Sequence, residues 1–318
     1  MEDNKLNMER NAVKMECDHL GTQNNKLSYL KEVNIYKLSE AAIFALVLQD
    51  GRIGFMTVSG RIMICNTQIF KVELQFQAHK KLISHYGQLE NGKIVTMAEG
   101  KKIKIWQLIN DNPTEKYKLD KELKFPSKNQ KFIVLSKNRI AVYSIGKLDI
   151  WDLNSSFNIV HQINVEPEIS LFQLTKKDAM VVCHQNELDI INLSTYQKEY
   201  TVKNVVDSDE YSYLEVGNDK LICGGMKKIL IINLEKKEVE QECNVQDDNI
   251  CGFTFFMNLK CEYYLCSSLG NIHLYNMKTN TFEIGNYPGK FLIFLCRLNE
   301  SRYIWFSEEE VHVFEITI

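Results

Sequence analysis

Apolar and polar positions along this chain recur with a period near 40 residues. The clearest copy is Lys147-Leu-Asp-Ile-Trp-Asp-Leu153, a short apolar run ending in Trp151-Asp152. With its aromatic position as reference, the equivalent residues are Cys65, Trp106, Trp151, Ile191, Ile232, Tyr275 and Phe314. Their separations are 41, 45, 40, 41, 43 and 39 residues, a fixed period with small insertions. Three residues earlier stand Ile62, Ile103, Leu148, Leu188, Ile229, Ile272 and Val311, and one residue earlier a further aliphatic. One residue later the side chain is always polar: Asn66, Gln107, Asp152, Asn192, Asn233, Asn276 and Glu315.

Each period carries the same four strand signals. An apolar run ends in a turn, as in Leu48-Gln-Asp-Gly51 and Leu89-Glu-Asn-Gly92, whose glycines supply the positive φ of tight hairpins. A second apolar run and the reference run follow. The fourth run alternates and is more polar, as in Asn158-Ile-Val-His-Gln-Ile-Asn164. Strands between neighbours should be apolar on both faces, whereas an outer edge should alternate and carry charge. Pro126, Pro167 and Pro288 fall between a fourth run and the next first run, and Pro113 between a third and a fourth. None interrupts a strand signal. Seven reference runs predict seven four-stranded sheets, yet the last stops two residues before the end of the chain. A strand over 32–38, which precedes the first full repeat, would complete the seventh sheet beside 311–316 and close a ring without free edges. Residues 1–26 are polar without a sustained period and read as a mobile arm, leaving 27–318 as one repeat domain.

This pattern resembles the WD-repeat β-propellers from about residue 30 onward. The resemblance rests on Trp151-Asp152, on Trp106-Gln107, and on Ala78-His79 placed 27 residues before Trp106 where the family has Gly-His. The Asp50-Gly51 and Asn91-Gly92 turns add to it. It implies an all-β, single seven-bladed β-propeller of four-stranded antiparallel blades, closed by the N-terminal strand pairing with the C-terminal blade. Family blades hold a hydrogen-bonded His, Asp, Ser/Thr and Trp. Here the Asp slot six residues before Trp106 holds Gly100, so no intact tetrad is expected. Trp106, Trp151 and Asp152 are expected to be structural, the tryptophans packing between blades and Asp152 bonding backbone N–H groups.

Composition narrows the function. A net charge of −3 and a pI near 6.2 argue against bulk attraction to nucleic acid or anionic membrane. No apolar run approaches the ~20 residues of a membrane helix. The polar start and nine irregularly spaced cysteines fit free thiols in a reducing compartment, which points to the cytoplasm with the nucleus as the alternative. There is no phosphate loop, nucleophile elbow or His-Glu-x-x-His, so the chain reads as a non-enzyme without cofactor or metal.

What remains is surface. The loops joining fourth to first and second to third strands should share one face. In the early repeats they hold His79, Lys80, Lys81, Lys101, Lys102 and Lys128. Later ones hold Glu166, Glu168, Asp207, Asp209, Glu210, Asp247, Asp248, Glu308, Glu309 and Glu310, with Tyr211 and Tyr287 as candidate anchors. A basic sector facing an acidic crescent would orient a protein partner. The expected role is a monomeric protein–protein scaffold or adaptor inside a multiprotein complex. The alternatives are a propeller enzyme with a central-channel metal or carboxylate site, and an RNA-binding propeller subunit.

Overall fold

The computed structural model describes residues 30–98, 102–111, 114–124, 131–144, 146–154, 157–166, 170–174, 178–184, 187–203, 205, 212–216, 220–225, 228–244, 255–258, 263–268, 271–276, 279, 281–286, 294–298, 301–307 and 310–316. Every regular element among them is a strand. Strand β1 (Leu30–Lys37) comes first. Sheet 1 joins β2 (Ala42–Val47), β3 (Ile53–Thr57), β4 (Arg61–Cys65) and β5 (Val72–Gln77). Sheet 2 joins β6 (Ile83–Gln88), β7 (Ile94–Ala98), β8 (Lys102–Asp111) and β9 (Thr114–Lys124). Sheet 3 is β10 (Lys131–Leu135), β11 (Arg139–Ser144), β12 (Lys147–Asp152) and β13 (Asn158–Asn164). Sheet 4 is β14 (Ser170–Leu174), β15 (Ala179–His184), β16 (Glu187–Asn192) and β17 (Lys198–Lys203). Sheet 5 is β18 (Ser212–Val216), β19 (Lys220–Gly225), β20 (Lys228–Asn233) and β21 (Glu238–Asn244). Sheet 6 is β22 (Phe255–Asn258), β23 (Tyr263–Ser268), β24 (Asn271–Asn276) and β25 (Thr281–Asn286). Sheet 7 takes β26 (Phe294–Arg297), β27 (Arg302–Ser307) and β28 (Glu310–Ile316), with β1 as its fourth strand. β1 runs antiparallel to β28 from Leu30 opposite Ile316 to Lys37 opposite Glu310, with an irregularity between Glu32 and Asn34.

The repeat in the sequence is a record of two-faced packing. Side chains one residue apart on a strand point to opposite faces. The aliphatics three and one before the reference slot therefore share a face, and it is the one turned to the following sheet. Ile62 and Ile64 share a buried cluster with Ile83 and Ile94 of sheet 2. Ile103 and Ile105 do so with Phe132 and Ile140 of sheet 3, and Leu148 and Ile150 with Met180 and Val182 of sheet 4. Leu188 and Ile190 cluster with Leu221 and Cys223 of sheet 5. At the end of the chain Val311 and Val313 meet Phe55, Met63 and Cys65 of sheet 1. The slot residue faces the other way: Trp106 lies with Leu48, Met56 and Ile62 of sheet 1, and half-buried Trp151 packs on the cluster of sheet 2. Inner strands also approach one another between sheets 5 and 6, 6 and 7, and 7 and 1.

Burial within a sheet peaks at the second strand. β3 and β7 are buried at every residue, β5 alternates, and the apolar first strands β2 and β10 are only partly covered. An innermost strand has a ladder partner on one side alone, so its apolar sequence reports convergence of neighbours. At Gly87 in β6, an added Cβ would run into the Val134 side chain of β10. All four prolines, residues 1–26 and the seventh-sheet loop at 308–309 lie outside the described residues. Cys65, Cys183 and Cys223 are buried free thiols. Burial pushes the Cys65 thiol up to about 12, with Glu73 adding to it, which makes it unreactive.

Candidate functional site: the loop face of sheets 1 and 2

In an antiparallel sheet, the second-to-third turn emerges at the same end as the loop leading to the next sheet. For sheet 1 these are the turn at Thr57–Arg61 and the loop at Ala78–Leu82, and they are stitched together. Gly60 O accepts from the backbone N–H of Ala78 (3.1 Å) and of His79 (2.9 Å). Gln77 Nε2 donates to Ser59 O (2.8 Å) and to His79 O (2.5 Å). Ser59 N donates to Glu40 Oε1 (3.2 Å), which ties in the loop that follows β1. Gly60 has φ +80°, and a Cβ there would strike the carbonyl oxygens of Lys81 and His79, so only glycine permits this contact.

Beneath the loop stands a file of buried polar groups. Trp106 Nε1 donates to Thr96 Oγ1 (2.9 Å), and Thr96 Oγ1 lies 2.9 Å from His79 Nε2. Thr96 Oγ1 therefore joins the indole N–H to the imidazole ring. Thr96 is fully buried, and His79 and Trp106 are 6% and 7% exposed. Desolvation pushes the His79 pKa down to about 4, with Lys104 acting in the same direction. The sequence placed His79 among the basic loop residues; it is instead a buried pillar under that loop and contributes no charge to its surface, because burial outweighs the hydrogen bond to Thr96 and favours the neutral ring. Three members of the family tetrad thus stand in sheet 2, while position 100, the acidic slot, lies outside the described residues.

Around this pillar the surface is basic. Lys80 and Lys81 are exposed in the loop. Lys104 Nζ donates to Ala78 O (2.7 Å) and lies over the Trp106 ring, 5.4 Å from its centroid. Lys102 is exposed and pairs with Glu122 (3.0 Å), whose carboxyl is held below its usual range by that hydrogen bond. Lys124 also approaches Glu122 (4.0 Å). Two aliphatic side chains missed in the sequence share this surface: Val58, 48% exposed, in the turn, and Leu82, 42% exposed, in the loop. Their only sequence signal was position, an apolar residue inside a loop pattern.

Of the other residues picked from the sequence, Lys101, Lys128, Glu168, Asp207, Asp209, Glu210, Tyr211, Asp247, Asp248, Tyr287, Glu308 and Glu309 lie outside the described residues. Glu166 is exposed after β13. Glu310 lies 3.5 Å from Nε2 of buried His312, whose Nδ1 meets Glu32 of β1. Asp152 Oδ1 accepts from Asn154 N (2.8 Å). Among the described residues, one group could gather ligand atoms for a metal: His184, Glu187 and Asp189 bring theirs within 4.8 Å of one another. Lysines already fill that role, however. Asp189 is engaged by His184 (3.0 Å), Lys198 (3.3 Å) and Thr201 (2.5 Å), and Glu187 by Lys203 (3.6 Å). The set is a salt-bridge network.

Comparison with known proteins gives the fold. No protein-family model and no curated protein sequence matches this chain. Among solved structures, the β-propeller domain of Cps50 (Swd1) from Myceliophteria thermophila matches with a TM-score of 0.71 at 12% identity. The match covers 91% of this chain and 100% of that one. At that identity the likeness is one of fold, and it agrees with the divergent WD-repeat-like propeller that the sequence pattern resembles.

Proposed function

We propose that this chain is a closed seven-bladed propeller whose blades are sheets 1 to 7, and that it serves as a non-catalytic scaffold for partner proteins. Closure is supported by β1 lying in sheet 7 and by Val311 and Val313 packing on sheet 1. The observation that carries the functional reading is the loop face of sheets 1 and 2. Three loops are locked to one another by backbone and side-chain hydrogen bonds, rest on a buried His-Thr-Trp file, and present exposed lysines with exposed aliphatics. A surface ordered before binding loses less entropy when a partner docks. The acidic residues of the later loops would extend this face into the bipolar surface read from the sequence. On this reading the protein is one copy in a larger cytoplasmic assembly, with residues 1–26 as an arm outside the propeller. The arm would leave from the start of β1, at the end opposite the loop face.

The test is cross-linking mass spectrometry on the assembly purified from native cells with an amine-reactive reagent. Inter-protein links should concentrate on Lys80, Lys81, Lys124 and Lys131. Links gathered instead on Lys93, Lys137, Lys236 and Lys237, at the other end of the sheets, or recovery of the chain without a stoichiometric protein partner, would overturn the reading.

A further inference from the structure

We propose that the patch formed by Val58, Lys80, Lys81 and Leu82 is a docking site for an acidic peptide segment, one that seats an aliphatic or aromatic side chain between flanking carboxylates. The inference rests on the scaffold reading and names the partner chemistry for one sector of its face.

Three observations carry it. First, the apolar and charged components are held in fixed relation. Val58 precedes the Ser59-Gly60 turn, and Gly60 O receives the Ala78 and His79 amides, so the strand of loop bearing Lys80, Lys81 and Leu82 is bonded directly to the turn bearing Val58. Second, the two exposed side chains are large and aliphatic, at 48% and 42% exposure, on a loop otherwise made of polar and small residues. Exposed apolar side chains brought together on a rigid frame and rimmed by charge are the usual footprint of a binding site. Third, the charge is one-sided. Among the described residues, Lys102, Lys104 and Lys124 add to Lys80 and Lys81, against two carboxylates: Glu122, which already serves Lys102 and Lys124, and Glu40, which accepts from Ser59 N. A cluster of that sign selects carboxylates and steers them in at long range.

Single-stranded nucleic acid would also be drawn by the lysines, but it binds mainly by stacking bases on exposed aromatic rings. The exposed apolar groups here are Val58 and Leu82, which can wrap an alkyl or ring side chain and offer no stacking plane. The site is therefore read as one for a polypeptide.

The test begins with selection of phage-displayed random dodecapeptides on the full-length protein, followed by fluorescence anisotropy with the strongest peptide made synthetically. Selected peptides should place Asp or Glu on both sides of a Leu, Ile, Met or Phe, and their affinity should fall as salt rises. The Kd should rise by roughly tenfold or more in Lys80→Glu/Lys81→Glu and, separately, in Leu82→Ser, with melting temperatures unchanged in both. Three outcomes overturn the proposal: no peptide selected, selected peptides lacking carboxylates, or a Kd unmoved in both variants. Should peptides bind and respond instead to Lys203→Glu on the same face, the proposed site is refuted while the scaffold reading stands. Oligouridylate that binds more tightly than the peptide and is lost in the lysine variant would refute the peptide in favour of RNA.

Discussion

His79, Thr96 and Trp106 show how much a single surviving set of polar contacts can hold. Thr96 Oγ1 joins the indole N–H and the imidazole, at 2.9 Å on each side. Thr96→Val keeps the volume and leaves a buried N–H without an acceptor, so it should cost about 2 kcal/mol of unfolding free energy in urea melts. The histidine adds a pH dependence. Its folded pKa of about 4 lies below the ordinary 6.5, so between these values the unfolded chain takes a proton that the native chain refuses. Stability is then full above pH 6.5 and falls by up to about 3 kcal/mol as pH drops toward 4. His85, also pushed down to about 4 by burial and then by Lys131, adds to the same slope. Urea melts at pH 7 and pH 5 should show a smaller difference in His79→Gln than in the parent, and an equal difference would rule out this source. His79 and Trp106 could be found in the sequence from their 27-residue spacing. Thr96 could not, because it sits inside an apolar strand with nothing to mark it. The invariant polar position after the reference slot was visible, and its purpose was read at Asp152 alone: Asn66, Asn192 and Asn233 likewise cap the next turn by accepting backbone N–H groups at 2.8–3.4 Å.

At the scale of elements, the third-to-fourth turn does more than reverse the chain. Phe70, Phe157, Tyr196 and Lys237 all take a positive φ just before a fourth strand. Each then reaches back to the outer strand of the sheet before it: Phe70 stacks on Tyr36, Phe157 lies under Lys121, Tyr196 stacks on His161, and Lys237 lies over Tyr200. Left-handed backbone is costly for aromatic residues, so these contacts must offset strain of about 1 kcal/mol each. Turns at the same end hand hydrogen bonds onward as well. Gln49 bonds Gln88 and Leu89, Asn91 bonds Asn138, and Asp178 receives Ser136, Lys137 and Arg139. None of this was legible in the sequence, since a loop phenylalanine or asparagine looks the same with or without a neighbour to reach. The Gly60 turn offers the sharpest test at this scale. Gly60→Ala combines a positive φ with a backbone collision and should destabilise by about 3 kcal/mol, while Gly51→Ala, with the same φ and open space, should cost only about 1. Similar losses in thermal melts of the two variants would mean that the packed turn is not a fixed part of the fold.

At the scale of the molecule, the period was the strongest signal because every sheet faces the same problem of covering two surfaces at once. The slot residue serves one neighbour and the aliphatics before it serve the other, so the pattern repeats with the sheet. Boundaries were less legible: β8 and β9 run 10 and 11 residues, well beyond the five to seven of their counterparts in sheets 1 and 3, through a polar stretch that reads as loop. The acidic later loops remain a reading of sequence. Whether the sheets act as one closed body depends on the strand that joins the two ends of the chain. If β1 is seated beside β28, then β28 has a ladder partner on both sides and is no longer an edge. Hydrogen–deuterium exchange followed by mass spectrometry on the full chain reads this directly. Closure predicts that amides in 311–316 exchange as slowly as those in 148–152 of β12, and that 31–37 is protected along with them. Fast exchange across 31–37, with 311–316 behaving as an open edge, would contradict it.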